Sequence, residues 1–215
     1  MDVAIIGAGS VGEALAGAMT KAGHEVAITA STPTRAEAVA GRTGSTAVGS
    51  TMEAVAGAEA VILAVPNGVL DDLLREIAPA VAGKIMIDVT NRISRDDPAA
   101  TLDGTSNAER IQALMPEARV VKAFNYAFAA RMAEPDPDGT PLDGFVAADD
   151  DEARARVLDL VGSIGFRPVD AGPLAMSRAL EALATLIVSL RIRHGWSGRN
   201  GWKLIGPPGL IGPPG

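Results

Sequence analysis

The residues of this sequence that could do chemistry most directly stand at the end of one apolar segment. Lys122 and Asn125 follow Val120 and Val121, and an ammonium group near an amide could polarise a carbonyl while a hydride arrives. Each also has an ordinary interpretation, because a lysine at a strand end can extend its amine into solvent and an asparagine can serve a turn or a helix cap. Since residues i and i+3 of a strand face opposite sides, the two share a pocket only if the chain turns near Phe124.

Few other residues could exchange protons with a substrate. His24 lies in a predicted turn, His194 ends the last predicted helix, and Tyr126 is the only tyrosine. The sequence has no cysteine, which excludes disulfides, thiolate metal sites and a cysteine nucleophile. The acidic run at residues 149–152 is explained by a helix start, where the dipole favours acids, so no metal site is predicted.

A glycine motif near the start of the chain indicates that a bound cofactor supplies the chemistry. It follows the apolar run 3–6 and opens a helical segment, which is the context that a dinucleotide-binding motif requires. In such a motif the first glycine permits a sharp turn, the second admits the diphosphate, and the third lets the helix pack closely on the strand. The N–H groups and positive dipole end of the helix face the diphosphate. The predicted cofactor-binding residues are Gly7, Ala8, Gly9, Ser10, Val11 and Gly12.

The end of the second predicted strand favours NADP over NAD. An NAD site usually places an acid about 20 residues past the glycines, and this chain has none there before Glu37. It has Ser31, Thr32 and Arg35 instead, and hydroxyls with a guanidinium suit a 2′-phosphate. The alternative is that Thr32 or Thr34 only caps the helix that Pro33 begins, with Arg35 on a solvated face.

The remaining sequence alternates apolar strands with helical segments. Several strands are apolar on both faces, which is typical of buried parallel sheets, and the alternation predicts right-handed crossovers. We therefore predict an α/β fold of the Rossmann type, with a doubly wound, mostly parallel sheet, as an NADP-binding domain over residues 1–170. The predicted strands are 3–6, 25–30, 46–48, 59–65, 84–89, 119–124, 144–148 and 166–169.

The C-terminal part of the chain has a different pattern. Residues 174–193 read as one long helix with apolar positions around much of its circumference. Such a helix should be buried on more than one side, which predicts a homodimer interface. Residues 204–215 repeat Leu-Ile-Gly-Pro-Pro-Gly, and this density of proline and glycine predicts a disordered tail.

Composition excludes several classes of partner. A net charge of -7 and 3% aromatic residues argue against a nucleic-acid surface, which needs basic patches. No apolar stretch approaches the ~18 residues of a membrane span, and no basic leader precedes a cleavage site. We predict a soluble, cytoplasmic protein that acts on small molecules, without a membrane or nucleic-acid partner.

Two known families share further motifs with this sequence. Within residues 170–183, the run Asp-Ala-Gly-Pro-Leu, followed by Ser-Arg and Glu-Ala-Leu, resembles the NADP oxidoreductases that depend on coenzyme F420, a deazaflavin. The glycine motif and residues 23–26 carry the same resemblance, which covers nearly the whole chain. Residues 120–125 are similar to the cytoplasmic NADPH-binding domains of the six-transmembrane ferric reductases, which use flavin. Both families transfer hydride between NADPH and a flavin-like ring.

The resemblance implies hydride transfer between NADP(H) and coenzyme F420, with FAD or FMN as the alternative ring. A reductase of a small carbonyl or imine and a non-catalytic NADP(H) sensor stay open. The resemblance implies an acceptor pocket that includes part of residues 171–203. It assigns the strand end beside the nicotinamide to Ala64, Val65 and Pro66. It assigns the deazaflavin pocket to Asn91, Asn125, Tyr126, Ala127, Gly172 and Pro173.

Overall fold

A single sheet of eight strands forms the centre of the computed structural model, which describes residues 1–93 and 104–206. The strands are β1 (Asp2–Ile6), β2 (Glu25–Thr29), β3 (Thr46–Ala47), β4 (Ala60–Leu63), β5 (Ile85–Asp88), β6 (Arg119–Ala123), β7 (Asp143–Ala148) and β8 (Arg167–Gly172). Their order across the sheet is β3-β2-β1-β4-β5-β6-β7-β8. β6 and β7 pair antiparallel and all other neighbours pair parallel. The last two strands therefore run opposite to the first six.

Helices cover both faces of this sheet. They are α1 (Ser10–Lys21), α2 (Pro33–Thr43), α3 (Thr51–Ala56), α4 (Asn67–Ile77), α5 (Asn107–Leu114), α6 (Ala129–Ala133), α7 (Asp151–Ser163) and α8 (Ser177–His194). Leu15 of α1 and Leu160 of α7 share a core with Ile5, whereas Leu74 of α4 shares another with Ala4. Successive strand residues point to opposite faces, so the central strands β1, β4, β5 and β6 each contribute apolar residues to both cores.

The predicted doubly wound, mostly parallel sheet is confirmed. The predicted division at residue 170 falls inside β8. Leu204, the first residue of the predicted tail, is held in place, because its N–H donates to Asp143 and its carbonyl accepts a hydrogen bond from Arg167. The rest of the tail beyond Gly206 lies outside the described residues. Within residues 1–93 and 104–206, no helix has the length and apolar character needed to span a bilayer.

The connection from β1 to α1 requires glycine at two positions. Gly7 has a φ of +118°, and a Cβ there would lie 2.2 Å from the Ala64 carbonyl oxygen. A Cβ on Gly12 would lie 1.9 Å from the Gly7 carbonyl oxygen. These two glycines therefore let β1, β4 and α1 approach one another. A Cβ on Gly9 would meet no atom within 4 Å, so packing within the chain does not account for that glycine.

This geometry predicts opposite effects for two alanine substitutions in α1. Gly12→Ala should lower the free energy of unfolding by about 1–3 kcal/mol, because the methyl group overlaps the Gly7 carbonyl. Gly17→Ala should raise it by about 0.5–1 kcal/mol, because its Cβ would meet only Thr43 atoms at 3.6 and 3.9 Å and alanine favours the helix. Urea unfolding measures both, and equal midpoints for the two variants would contradict the close packing at Gly12.

Candidate active site

Three helices begin without side-chain caps near the point where the strand order reverses. The reversal lies between β1 and β4, and α1, α2 and α4 follow β1, β2 and β4. None of the three has a side-chain hydrogen bond at its N-cap, whereas α3 and α5 are capped by Ser50 and Ser106. Uncapped helix N-termini present N–H groups to an anion, and dinucleotides bind at such reversals. Together with the open approach over Gly9, the start of α1 fits a diphosphate.

The predicted 2′-phosphate residues lie in the first turn of α2 and just before it. The Arg35 Nε donates a hydrogen bond to the Ala8 carbonyl at 3.0 Å, so the guanidinium group is directed to the glycine loop. Thr32 occupies the N-cap position, but its side chain makes no capping bond. Thr32 therefore precedes the helix as the capping alternative predicts, but its hydroxyl is not used in a cap. Ser31, Thr32 and Arg35 are exposed, and their polar groups can reach a phosphate.

Lys122 lies in the interior and is fully buried. Its Nζ donates to Asp88 Oδ2 at 2.7 Å, to the Thr90 carbonyl at 2.7 Å and to Glu181 Oε1 at 2.8 Å. The interpretation with the amine in solvent is wrong, because two carboxylates draw the ammonium inward. The three hydrogen bonds use all three donors of the ammonium group, which leaves none for a substrate carbonyl. The geometry favours a positioning role for Lys122 over the predicted catalytic one.

The two carboxylates that bind Lys122 are themselves held by hydrogen bonds. Asp88 Oδ1 accepts from the N–H and the hydroxyl of Thr90 at 2.8 and 2.7 Å. Glu181 Oε1 also accepts from the Asn107 N–H at 2.8 Å. The Asn107 amide donates to Thr90 Oγ1 at 2.7 Å and to Asn67 Oδ1 at 2.6 Å. This buried network joins the end of β5 to the starts of α4 and α5 and to α8.

Apart from Lys122, no residue of this network was predicted as a site residue, although Glu181 belongs to the motif that carries the family resemblance. One signal could have found Asp88: it is an acid in a strand that is otherwise apolar on both faces, and a buried carboxylate requires a partner. The strand register places Lys122 of β6 opposite Asp88 of β5. Knowledge of the neighbouring strand was therefore needed to identify the pair.

The chain turns sharply after β6. Phe124 is buried and has a φ of +63°, a left-handed conformation that costs a non-glycine residue about 1–2 kcal/mol. The turn carries Asn125 to α8, where its Nδ2 donates to the Leu180 carbonyl at 3.0 Å. Leu180 directly precedes Glu181, so the expected turn does bring Lys122 and Asn125 to the same part of α8.

Asn91 and Asn125 form a reciprocal pair. Asn91 Nδ2 donates to the Asn125 carbonyl, and Asn125 Nδ2 donates to Asn91 Oδ1, both at 2.8 Å. Because the carbonyls of Asn125 and Leu180 can only accept, the orientation of both amides is fixed. Asn125 Oδ1 is then buried without a hydrogen-bond partner among the described residues. An unpaired buried acceptor is costly, and a donor on a bound ligand would satisfy it.

A cavity of about 170 Å³ lies between the first turn of α1, the turn after β6 and α8. Among the described residues around it, Tyr126 is the one with an ionisable side chain. Its hydroxyl donates to the Phe145 carbonyl at 3.2 Å, and burial raises the pKa of Tyr126 above its ordinary value. The walls are therefore mainly apolar, with two amides. The lining residues are Val11, Val89, Asn91, Ile93, Asn125, Tyr126, Ala127, Phe128, Ala129, Met132, Ala184, Ile187 and Val188.

Two other predicted site segments, residues 64–66 and residues 172–173, do not line this cavity. Residues 64–66 follow β4, and Ala64 and Val65 border Gly7 of the glycine loop. Their place beside a nicotinamide stays a prediction. Gly172 and Pro173 do not line the cavity. The strand registers pair Gly172 of β8 with Ala147 of β7, and Ala147 with Lys122 of β6, so the end of β8 is level with Lys122 and two strands away from it. Gly172 forms a turn there, with a φ of +89° and its N–H donating to Asp170 Oδ1 at 2.7 Å. The pocket role that the resemblance implies for these two residues stays a prediction.

Polar contacts also fix α5 against α8. Ser106 and Glu109 form a capping box at the start of α5. Arg178 Nη2 donates to Glu109 Oε1 at 2.6 Å, and this guanidinium lowers the pKa of Glu109 to about 2. The hydroxyls of Ser106 and Ser177 are 2.6 Å apart. The start of α8 is thus held on α5 beside the buried network.

Comparison with known proteins identifies the family. A family model described as "NADP oxidoreductase coenzyme F420-dependent" matches residues 2–92. Over 212 residues the chain is 30% identical to the F420-dependent NADP reductase of Methanothermobacter thermautotrophicus, and the match covers 90% of each protein. This chain belongs to the coenzyme F420-dependent NADP oxidoreductase family.

Two further relatives extend the comparison. The chain is 32% identical over 195 residues to Metalloreductase STEAP3 of Rattus norvegicus, covering 90% of this chain but only 37% of the rat protein. A crystal structure described as an F420-dependent NADP reductase from Arthrobacter sp. FB24 superposes on this chain with a TM-score of 0.84 at 28% sequence identity. That match covers 95% of this chain and 100% of the other. The whole fold, including β7, β8 and α8, is therefore shared with this family.

The buried position of Lys122 predicts a large loss of stability on its replacement. Lys122→Met should lower the free energy of unfolding by about 3–5 kcal/mol, because it leaves two buried carboxylates without their cation. Lys84→Met is the matched control, since the Lys84 amine binds only the carbonyls of Ala58 and Ala56, and it should cost less than about 1 kcal/mol. Urea unfolding compares the two variants. Similar free energies of unfolding would show that the buried ion pairs contribute little to stability.

Proposed function

We propose that this chain transfers a hydride between NADP(H) and coenzyme F420. The observation that carries the proposal is the cavity beside the glycine loop, whose described walls offer no available acid or base. A carbonyl reductase needs a group that exchanges a proton with the substrate oxygen. Transfer between two ring systems needs mainly binding and orientation, because the cofactors supply the chemistry.

The dinucleotide half of the proposal rests on the glycine loop and α2. The uncapped start of α1 would bind the diphosphate, with Gly9 admitting it to the main chain. Ser31, Thr32 and Arg35 would bind the 2′-phosphate of NADP through hydroxyl and guanidinium donors. Bound NADPH supplies a hydride. Residues 64–66 would lie beside its nicotinamide, as the family resemblance implies.

The acceptor half of the proposal rests on the cavity. Val11, at its wall, belongs to the first turn of α1, so the acceptor cavity adjoins the dinucleotide site. The apolar walls exclude water from a bound ring, and Asn125 Oδ1 offers a hydrogen-bond acceptor to a ring N–H or O–H group. Asn91 orients Asn125. The Lys122 network fixes α8, whose Leu180 carbonyl accepts a hydrogen bond from Asn125. We assign Asn125 a role in orienting the acceptor.

The direct test is anaerobic turnover with purified protein. NADPH should lose its nicotinamide absorbance when oxidised coenzyme F420 is added, and FMN and FAD should give little turnover. Turnover with a flavin alone would replace the proposed acceptor. Turnover only with a small carbonyl or imine would overturn two-ring transfer, and NADPH binding without turnover would indicate a sensor.

The contact between Arg35 and the glycine loop predicts selectivity for NADPH. Arg35→Gln should raise KM for NADPH by about 10- to 100-fold, because one charge-assisted contact to phosphate is lost, and should leave KM for NADH nearly unchanged. Arg42→Gln, on the same helix, is the control, since Arg42 pairs with Glu13 at 2.6 Å. An equal effect of Arg35→Gln on both cofactors would contradict a role at the 2′-phosphate.

We also propose that α8 forms the interface of a homodimer. Its outward side carries Leu186, which is 47% exposed, together with half-buried Leu183 and Leu190. Leu186→Glu should halve the mass measured by light scattering during gel filtration. Leu114→Glu, at an exposed leucine of α5, should leave the mass unchanged. A wild-type monomer would overturn the proposal.

A further inference from the structure

A second, more open groove borders the acceptor cavity. It has a volume of about 710 Å³, and Ile93 and Val188 line both spaces. A ring in the inner cavity could therefore extend a substituent directly into the outer groove. The other residues around the groove are Arg191, Ile192, Gly195 and Trp196.

Arg191 is held at this groove without being neutralised. Its guanidinium carbon lies 5.5 Å from the centre of the Phe128 ring, and its Nε donates to the Trp196 carbonyl at 3.4 Å. Among the described residues it makes no ion pair, whereas Arg178 and Arg199 pair with Glu109 and Glu134. An aromatic face and a carbonyl orient the guanidinium but leave its charge available to an anion.

The negative net charge of the whole chain strengthens the argument that Arg191 binds an anion. At a net charge of -7 the protein repels anions at long range, so an anionic ligand requires a local cation. Arg35 shows the same arrangement at the dinucleotide site, where its bond is to the Ala8 carbonyl and not to a carboxylate. Within residues 1–93 and 104–206, therefore, neither Arg35 at the glycine loop nor Arg191 beside the acceptor cavity makes an ion pair with a carboxylate.

We propose that this groove binds an anionic substituent, phosphate or carboxylate, carried by the ring that occupies the acceptor cavity. Arg191 contacts the anion, and Trp196, which is 42% exposed, packs against the linking chain. The inference rests on the proposed function for the identity of the ring. It adds that the acceptor is recognised by its charged side chain as well as by its ring.

The test compares acceptors that differ only in this substituent. Coenzyme F420 is paired with the same deazaflavin bearing a neutral side chain, and binding is measured by quenching of tryptophan fluorescence and by KM. Arg191→Gln should raise Kd for coenzyme F420 by about 3- to 10-fold, as for a partly exposed charge pair, and should leave Kd for the neutral analogue unchanged. Added salt should weaken wild-type binding of coenzyme F420 only.

Arg193→Gln is the matched control, because Arg193 is exposed on the same helix and lies outside the groove. Equal effects of Arg191→Gln and Arg193→Gln, or equal effects on both acceptors, would overturn the proposal. If neither deazaflavin binds the wild type, the proposed acceptor is wrong, and FMN and riboflavin provide the same comparison. Selective weakening of FMN by Arg191→Gln would then uphold the anion groove, and no binding of either would overturn it.

Discussion

The buried ammonium of Lys122 imposes the strongest constraint on this structure. A charge at this depth is tolerated only when counter-charges and hydrogen bonds surround it, and Asp88 and Glu181 supply them from β5 and α8. These elements are far apart in sequence, so the ion pairs are satisfied only in one arrangement of strand and helix. α8 consequently has a defined position over the C-terminal ends of β5 and β6.

That position determines what kind of chemistry the cavity can support. The acids and the lysine close to it are bound to one another, and the Tyr126 hydroxyl is bound to a carbonyl away from it. Only the amides of Asn91 and Asn125 remain as polar groups in walls that are otherwise mainly apolar. The site can therefore orient a ring and exclude water, and a protein built this way depends on its bound partners for reactivity.

Features encoded locally could be predicted from the sequence. The central strands were predictable because burial on both faces leaves a signal in each strand separately. The glycine motif was predictable because its residues follow one another between a strand and a helix. The ion pair between Lys122 and Asp88 could not be predicted from the sequence, because it depends on the strand register of residues that are 34 apart in the chain. The turn at Phe124 uses a conformation that phenylalanine rarely adopts. The direction of β8, which carries Gly172, could not be predicted in this way because it depends on the antiparallel pairing of β7 with β6.

The hydrogen bond from Arg35 to the Ala8 carbonyl has a thermodynamic consequence. A long side chain loses rotamer freedom when it binds a ligand, and this lowers affinity. Part of that loss has already occurred in the folded chain, because the main chain of the glycine loop restrains the guanidinium. Binding of the proposed 2′-phosphate by Arg35 would therefore carry a smaller entropic penalty than binding by an unrestrained arginine.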